Sequence, residues 1–272
     1  MKFISQLRTQ NILSLRLSLG IFLFFIFSTK AQTQTDTIRV MSFNILHGAT
    51  VKNDFNLDTI AGVINAYNPD LVALQEVDFK TNRAKRMDLA TELGQRTKMA
   101  SLFARAMPYD DGEYGEAVLS HYTFVHTENI PLPHLPSSEP RAALKTVVET
   151  NNGNRIAFVG THLDHLENDT DRKMQARALV GVLKDMHMPT LLVGDLNDTP
   201  QSKTLGILEE VFSKPKNTEA LNNTWPAHDP RICIDHILFD RKHHWEVVEY
   251  EVLCENYASD HCIVYATLVF KP

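Results

Sequence analysis

The chain has 272 residues, 27 Lys and Arg against 33 Asp and Glu, and a net charge of −6, so it lacks the broad basic face by which proteins grip polyanionic nucleic acid. Its longest basic clusters, residues 83–86 and 241–244, are short and interrupted and read as solvated surface. Three cysteines, Cys233, Cys254 and Cys262, permit at most one internal disulfide and exclude a cysteine framework; in apolar, strand-like surroundings they read as buried thiols.

At the amino end, Lys2, Arg8 and Arg16 precede an apolar run over residues 17–27, and Thr29 and Ala31 place small residues before Gln32. This is the pattern of a secretory signal over residues 1–31. The run is well short of the roughly 20 residues a membrane-spanning helix needs, and no Cys near the cut offers a site for lipid attachment. Export to the periplasm or medium is the expectation. None of the acidic residues lies in the removed segment, so the remainder is more acidic still.

From residue 36 to 272 no linker, low-complexity tract or fixed-period repeat divides the chain, which reads as one domain. Strand-like runs rich in Val, Ile, Phe and Leu occupy residues 38–44, 71–77, 116–120, 142–150, 155–162, 190–195, 232–239, 245–253 and 263–270. Between the first two, Leu57, Ile60, Val63 and Ile64 share a helical face before Pro69; before the sixth, Met174, Ala178, Val182 and Leu183 share another, ending at Pro189. A hairpin is expected to turn at Asn151, Asn152 and Gly153. Hairpins mixed with helical crossovers predict mixed sheets with helices outside.

Polar residues recur where these runs end. Asn44, Glu76, His162, Asp195 with Asn197, and Asp235 sit at or near carboxyl ends of strands, and Asp260 and His261 occupy the turn into the last one. Each alone is explained by a turn or a cap. Together they point to one rim, where open α/β sheets place ligands.

The segments Met41-Ser42-Phe43-Asn44-Ile45, Leu74-Gln75-Glu76-Val77, Gly160-Thr161-His162-Leu163-Asp164, Gly194-Asp195-Leu196-Asn197, Ile234-Asp235-His236-Ile237 and Ser259-Asp260-His261 resemble, in order, the signature of the endonuclease/exonuclease/phosphatase superfamily. The resemblance spans nearly all of the chain beyond the leader. It implies an α/β fold, a four-layer α/β/β/α sandwich with two mixed β-sheets. Its members include deoxyribonucleases, apurinic endonucleases, inositol polyphosphate phosphatases and neutral sphingomyelinases, so it implies a chemistry and leaves the substrate open.

That chemistry needs cationic stabilisation of phosphoryl oxygens, an oriented water and help for the leaving oxygen. Asn44 and Glu76 offer hard oxygen ligands suited to Mg²⁺ or Mn²⁺, and the resemblance implies that they hold the metal, with Asp260 reaching it directly or through water. Asp195 and Asn197, two apart on an extended segment, are expected on one side, one serving the water and the other the phosphate. The resemblance implies that His261 touches a phosphate oxygen and that Asp235 holds its imidazole; either Asp195 or the His261 and Asp235 pair is the base. It further implies a Glu116 and His162 pair, the carboxylate raising the imidazole pKa so that it protonates the leaving group. Arg141 matches a phosphate-contacting arginine, with an ordinary surface ion pair as the alternative.

Two other chemistries are weighed. Residues 160–165 approach the H-x-H-x-D-H pattern of binuclear zinc hydrolases, but Gly160 stands where the first histidine should be, and His165 reads as a polar rim residue. An inactive relative that only binds a phosphorylated ligand is the non-enzymatic reading; retention of every catalytic residue type counts against it. With no basic or aromatic arm and no amphipathic hairpin, the expected substrate is a small phosphoester or a lipid headgroup, with secreted nuclease action on DNA or RNA as the alternative. Nothing points to an obligate protein partner, and the chain reads as a monomer.

Overall fold

The computed structural model describes residues 34–215 and 222–272; the secretory signal expected over residues 1–31 lies outside them. In chain order the elements are β1 (Asp36–Asn44), α1 (Leu57–Tyr67), β2 (Leu71–Phe79), α2 (Leu89–Thr97), β3 (Ala100–Tyr109), β4 (Gly112–Ser120), β5 (Thr123–Leu132), β6 (Arg141–Glu149), β7 (Arg155–His162), α3 (Thr170–Leu183), β8 (Thr190–Asp195), α4 (Lys203–Leu208), β9 (Phe212–Ser213), β10 (Asp235–Asp240), β11 (His244–Leu253) and β12 (Ile263–Lys271). They form two six-stranded sheets, ordered β11-β12-β1-β2-β4-β3 and β5-β6-β7-β8-β10-β9. Each is mixed. β1 runs parallel to β2 and β7 parallel to β8, with α1 and α3 as the crossovers, while the remaining neighbours are antiparallel.

The central strands are apolar on both faces because both faces are covered. In β1, Ile38 and Val40 meet Phe158 and Val193 between the sheets, whereas Met41 and Phe43 turn outward to Leu57, Ile60 and Leu93 of α1 and α2. On the far side, Leu179 and Leu205 of α3 and α4 cover Val159 and Leu192. The result is the expected α/β/β/α sandwich. Burying each such side chain contributes roughly 1.5–3 kcal/mol.

Helix α1 starts at Asn56, whose side chain accepts the Thr59 N–H at 3.1 Å, and ends at Asn68 in the left-handed conformation before Pro69. The hairpin at residues 151–153 joins β6 to β7 as expected, with Gly153 at φ +80°. The buried side of α3 departs from expectation. It consists of Asp171, Arg172, Gln175, Ala176, Leu179 and Leu183, while Val182 faces solvent. Two of its three polar residues hold the loop after β7: Gln175 Oε1 accepts the Asp164 N–H at 2.9 Å, and the Arg172 guanidinium donates to the Asp164 and Leu166 carbonyls. The strands absent from the sequence reading, β3, β5 and β9, are all at sheet edges. Edge strands tolerate charge and proline, as at Pro108 and Pro131, and so carry a weaker pattern.

The cysteines need one correction. Cys254 and Cys262 are joined in a disulfide, and only Cys233 is a buried thiol.

Candidate active site

Strand register brings the polar residues together. β1 ends with Asn44 opposite Gln75, and a bulge between Leu74 and Val77 interrupts β2 there. Glu76, in the bulge, adopts φ +56°, a conformation that costs a non-glycine residue and that the surrounding ladder must enforce. It turns the carboxylate into a pocket of about 540 Å³. In the other sheet, His162 and Asp235 both lie directly beside Asp195. Asp235 is not at a carboxyl strand end; it opens β10. Because β10 runs antiparallel to β8, its amino end meets the carboxyl end of β8. The approach of β7 to β8 depends on Gly194, where an added Cβ would lie 1.9 Å from the Thr161 carbonyl oxygen.

The site is built across the seam between the sheets. The Asn44 amide donates to Glu76 Oε1 at 3.2 Å and to Asp195 Oδ2 at 3.3 Å, while its Oδ1 accepts the Leu46 N–H. Ser259 ties the last turn to β1, donating to the Asn44 carbonyl at 2.7 Å and accepting the His261 N–H at 3.1 Å. His261 Nδ1 is 3.0 Å from Asp235 Oδ2, and its Nε2 is 3.7 Å from Asp195 Oδ2. Asp195, Asp235 and His261 form a buried cluster with ligand-capable atoms all within 4.8 Å of one another.

This crowding sets the charges. Burial alone would lower the His261 pKa, but the Asp235 carboxylate, followed by those of Asp195 and Asp260, outweighs it and pushes it up to about 10. Asp195 is pushed up to about 7, first by burial and then by Asp235. Glu76 moves the other way: burial is overcome by the His47 hydrogen bond, by His162 and by Asn44, and its carboxyl is held down at about 2.

Two expectations are overturned. His162 is not paired with Glu116: its Nδ1 is 3.3 Å from Arg141 Nη1, so the imidazole must accept there and carry its proton on Nε2, 3.5 Å from Asp195. Burial first, then Arg141, hold its pKa well below the ordinary value, so His162 is a neutral donor. Glu116 is fully buried with neither oxygen hydrogen-bonded, and burial raises its pKa well above normal. Asn197 does not share an extended side with Asp195: β8 ends at Asp195, Asn197 is left-handed at φ +50°, and its amide donates to the Leu163 carbonyl. It nevertheless lines the pocket. The Asp260 carboxylate has one oxygen engaged, Oδ2 accepting from Trp225 Nε1 at 3.3 Å, while Oδ1 has no hydrogen-bond partner among the described residues.

Arg141 is 3% exposed, which removes the surface ion-pair alternative. It contacts His162, His165 and Glu139 on the pocket wall. His165 is exposed at the rim. Sequence reasoning missed His47, whose Nδ1 lies 3.4 Å from Glu76, and the aromatic wall of Tyr109, Tyr114 and Trp225. No local pattern announces them: His47 and Trp225 lie outside the named strands and α-helices, and Tyr109 and Tyr114 come from the β3–β4 hairpin, whose place beside the pocket depends on the sheet order. It also misread Arg83, which is half-buried and lines the pocket.

The donor set suits a hard divalent cation. Glu76 and Asp195 share the Asn44 amide, Asp195 and Asp235 belong to one buried cluster, and Asp235 Oδ1 and Asp260 Oδ1 are buried without a hydrogen-bond partner among the described residues, a costly state that a cation relieves. A zinc pair is disfavoured by place as well as by residue type. Gly160 packs between the sheets, where a Cβ would meet Ala73 and Val118 and no side chain could reach the pocket.

The profile of the Endonuclease/Exonuclease/phosphatase family matches residues 41–261. The uncharacterized protein YbhP of Escherichia coli strain K12 is 28% identical over 224 residues, covering 76% of this chain and 86% of YbhP. Among solved structures, a family protein from Bacteroides thetaiotaomicron superposes with a TM-score of 0.73 at 20% identity, covering 88% of this chain and 100% of that one. The mannosyl-6-phosphatase Bt3783 of Bacteroides thetaiotaomicron VPI-5482 superposes with a TM-score of 0.69 at 18% identity, covering 85% and 99%.

Proposed function

The chain belongs to the endonuclease/exonuclease/phosphatase family of phosphoester hydrolases, and from that premise we propose that it is an exported Mg²⁺- or Mn²⁺-dependent phosphoesterase that attacks phosphorus in line with water. The observation that carries the reading is the convergence of Asn44, Glu76, Asp195, Asp235 and His261, from both sheets, beside Arg141 in one pocket. Asn44 and Glu76 would hold the cation, with Asp260 turning to it from Trp225. Once bound, the cation supplies Lewis-acid stabilisation of phosphoryl charge.

His261, protonated and oriented by Asp235, donates to a phosphoryl oxygen. A group in that state is unable to take a proton, so Asp195 is the base for the attacking water. The neutral His162, steered by Arg141, donates a hydrogen bond through Nε2 to the phosphoryl group, and Asn197 lines the same wall. The pocket volume is that of a small-molecule site, which favours a small phosphoester or a lipid headgroup over a polymer, and a monomer suffices because every group in the site comes from one chain.

The test is a screen of bis-p-nitrophenyl phosphate, p-nitrophenyl phosphate, plasmid DNA and sphingomyelin with Mg²⁺, Mn²⁺ or chelator. Turnover of a small or lipid ester that chelator abolishes and Mg²⁺ or Mn²⁺ restores is expected. Full activity in excess chelator, restoration by zinc alone, or preferential cutting of plasmid would overturn the assignment.

A further inference from the structure

Arg83 is held more firmly than a surface arginine needs to be. Its Nε and Nη2 form a two-point clamp on Asp78, at 2.7 and 2.8 Å, and the Asp78 side chain is fully buried. Its guanidinium carbon lies 4.4 Å from the Tyr109 ring centroid and 5.7 Å from that of Tyr114. The Arg83 backbone is fixed too, its N–H donating to Asp110 at 2.8 Å. The edge turned from Asp78 is the uncommitted one. Among the described residues, Nη1 donates one hydrogen bond, a long one of 3.5 Å to the Tyr109 hydroxyl.

Arg83 belongs to the wall of the same pocket that contains Arg141 and His261. Arg141 is already engaged, with Nη1 directed to His162 and Nη2 to His165 and Glu139. A loop pin would require only the Asp78 edge. A preset planar donor with a vacant edge, in a pocket already supplied with cations for the reacting phosphoryl group, is suited to a different anion on the same molecule.

Building on the phosphoesterase reading, we propose that Arg83 reads a second anionic group: the substrate is a phosphoester whose esterified part carries another phosphate or a carboxylate, which Arg83 receives through Nη1. The reading narrows the substrate class to compounds with two anionic groups and assigns Arg83 to specificity, not to bond cleavage.

The test is calorimetric binding of three non-hydrolysable probes in Mg²⁺: propylphosphonate, 3-phosphonopropionate and propane-1,3-bisphosphonate. The wild-type protein is expected to bind one or both of the doubly anionic probes about tenfold tighter, or more, than propylphosphonate, as one charge-assisted contact provides. Preference for the carboxylate probe or for the bisphosphonate identifies which second anion is read. Arg83→Gln should bring the ratio close to one. Since that change strands the buried Asp78 carboxylate, the double variant Asp78→Asn/Arg83→Gln, which removes the pair together, serves as the second arm. A wild-type ratio near one, or a ratio that survives either variant, overturns the proposal. Turnover of bis-p-nitrophenyl phosphate by the same wild-type preparation reports the phosphoesterase reading separately: turnover without a binding preference defeats the second-anion site alone.

Discussion

At the scale of single residues, the partner of a side chain decides more than its type. His162 and His261 line one pocket, yet burial and Arg141 hold the first neutral while Asp235 and Asp195 keep the second protonated. A neutral imidazole aids a phosphoryl group by hydrogen bonding and gives a departing alkoxide little more help than it gives a nitrophenolate. His162→Ala is therefore expected to lower kcat/KM by about a hundredfold on an alkyl and a nitrophenyl ester of the same phosphate alike; a far larger loss on the alkyl ester would make it the general acid after all. Glu76 allows a test independent of turnover. Mg²⁺ at about a hundred times its Kd should stabilise the wild-type protein by about 2.7 kcal/mol, a rise of roughly 5–10 °C in Tm for a domain of this size. Glu76→Gln should lose most of that rise while melting normally without metal, and an undiminished rise would move the cation to other ligands. The residue types needed for phosphoester chemistry were legible in the sequence as polar positions closing apolar strands. Their pairings were not. Whether Glu116 or Arg141 stands beside His162 depends on β4 and β6, strands whose order in space no local pattern reveals.

At the scale of elements, apolar runs located the nine most regular strands, and the three omissions were edges whose one-sided exposure dilutes the pattern. Helix α3 shows the opposite error. Its periodicity placed Val182 inward, but the helix spends two buried positions on Arg172 and Gln175 to hold the loop carrying Asp164 and His165. Removing one such bond leaves a buried backbone N–H without a partner. Gln175→Met should destabilise the fold by about 1–3 kcal/mol and lower turnover as the loop beside His162 loosens, whereas Val182→Gln, at an exposed site, should stay within about 0.5 kcal/mol of wild type. Thermal melts of the two variants side by side decide between the faces: a larger loss at Val182 would restore the periodic reading.

At the scale of the whole molecule, the apolar runs predicted mixed sheets with helices outside, and the two-sheet, four-layer sandwich came from the family resemblance of the six ordered segments. Charge was the poorer guide: a net acidic chain still builds a pocket wall containing Arg83 and Arg141. If the leader works as read, protein recovered from the native host should begin near Gln32, and an intact Met1 in a membrane fraction would make the apolar run an anchor instead. The same material should carry one alkylatable thiol after denaturation without reductant and three with it. In the native state it should carry none at mildly alkaline pH, since burial, then Asp235, pushes the Cys233 thiol up to about 12; three thiols without reductant would mean the bond never forms. The Cys254–Cys262 link closes a ring of about nine residues containing Ser259, Asp260 and His261, a constraint on the unfolded chain that the loop-entropy relation puts at about 2.5 kcal/mol. The choice of production host thereby becomes part of the enzymology. Protein harvested from a reducing cytosol begins its assay without that ring, and feeble turnover from such a batch would describe the cell that made it before it described the catalyst.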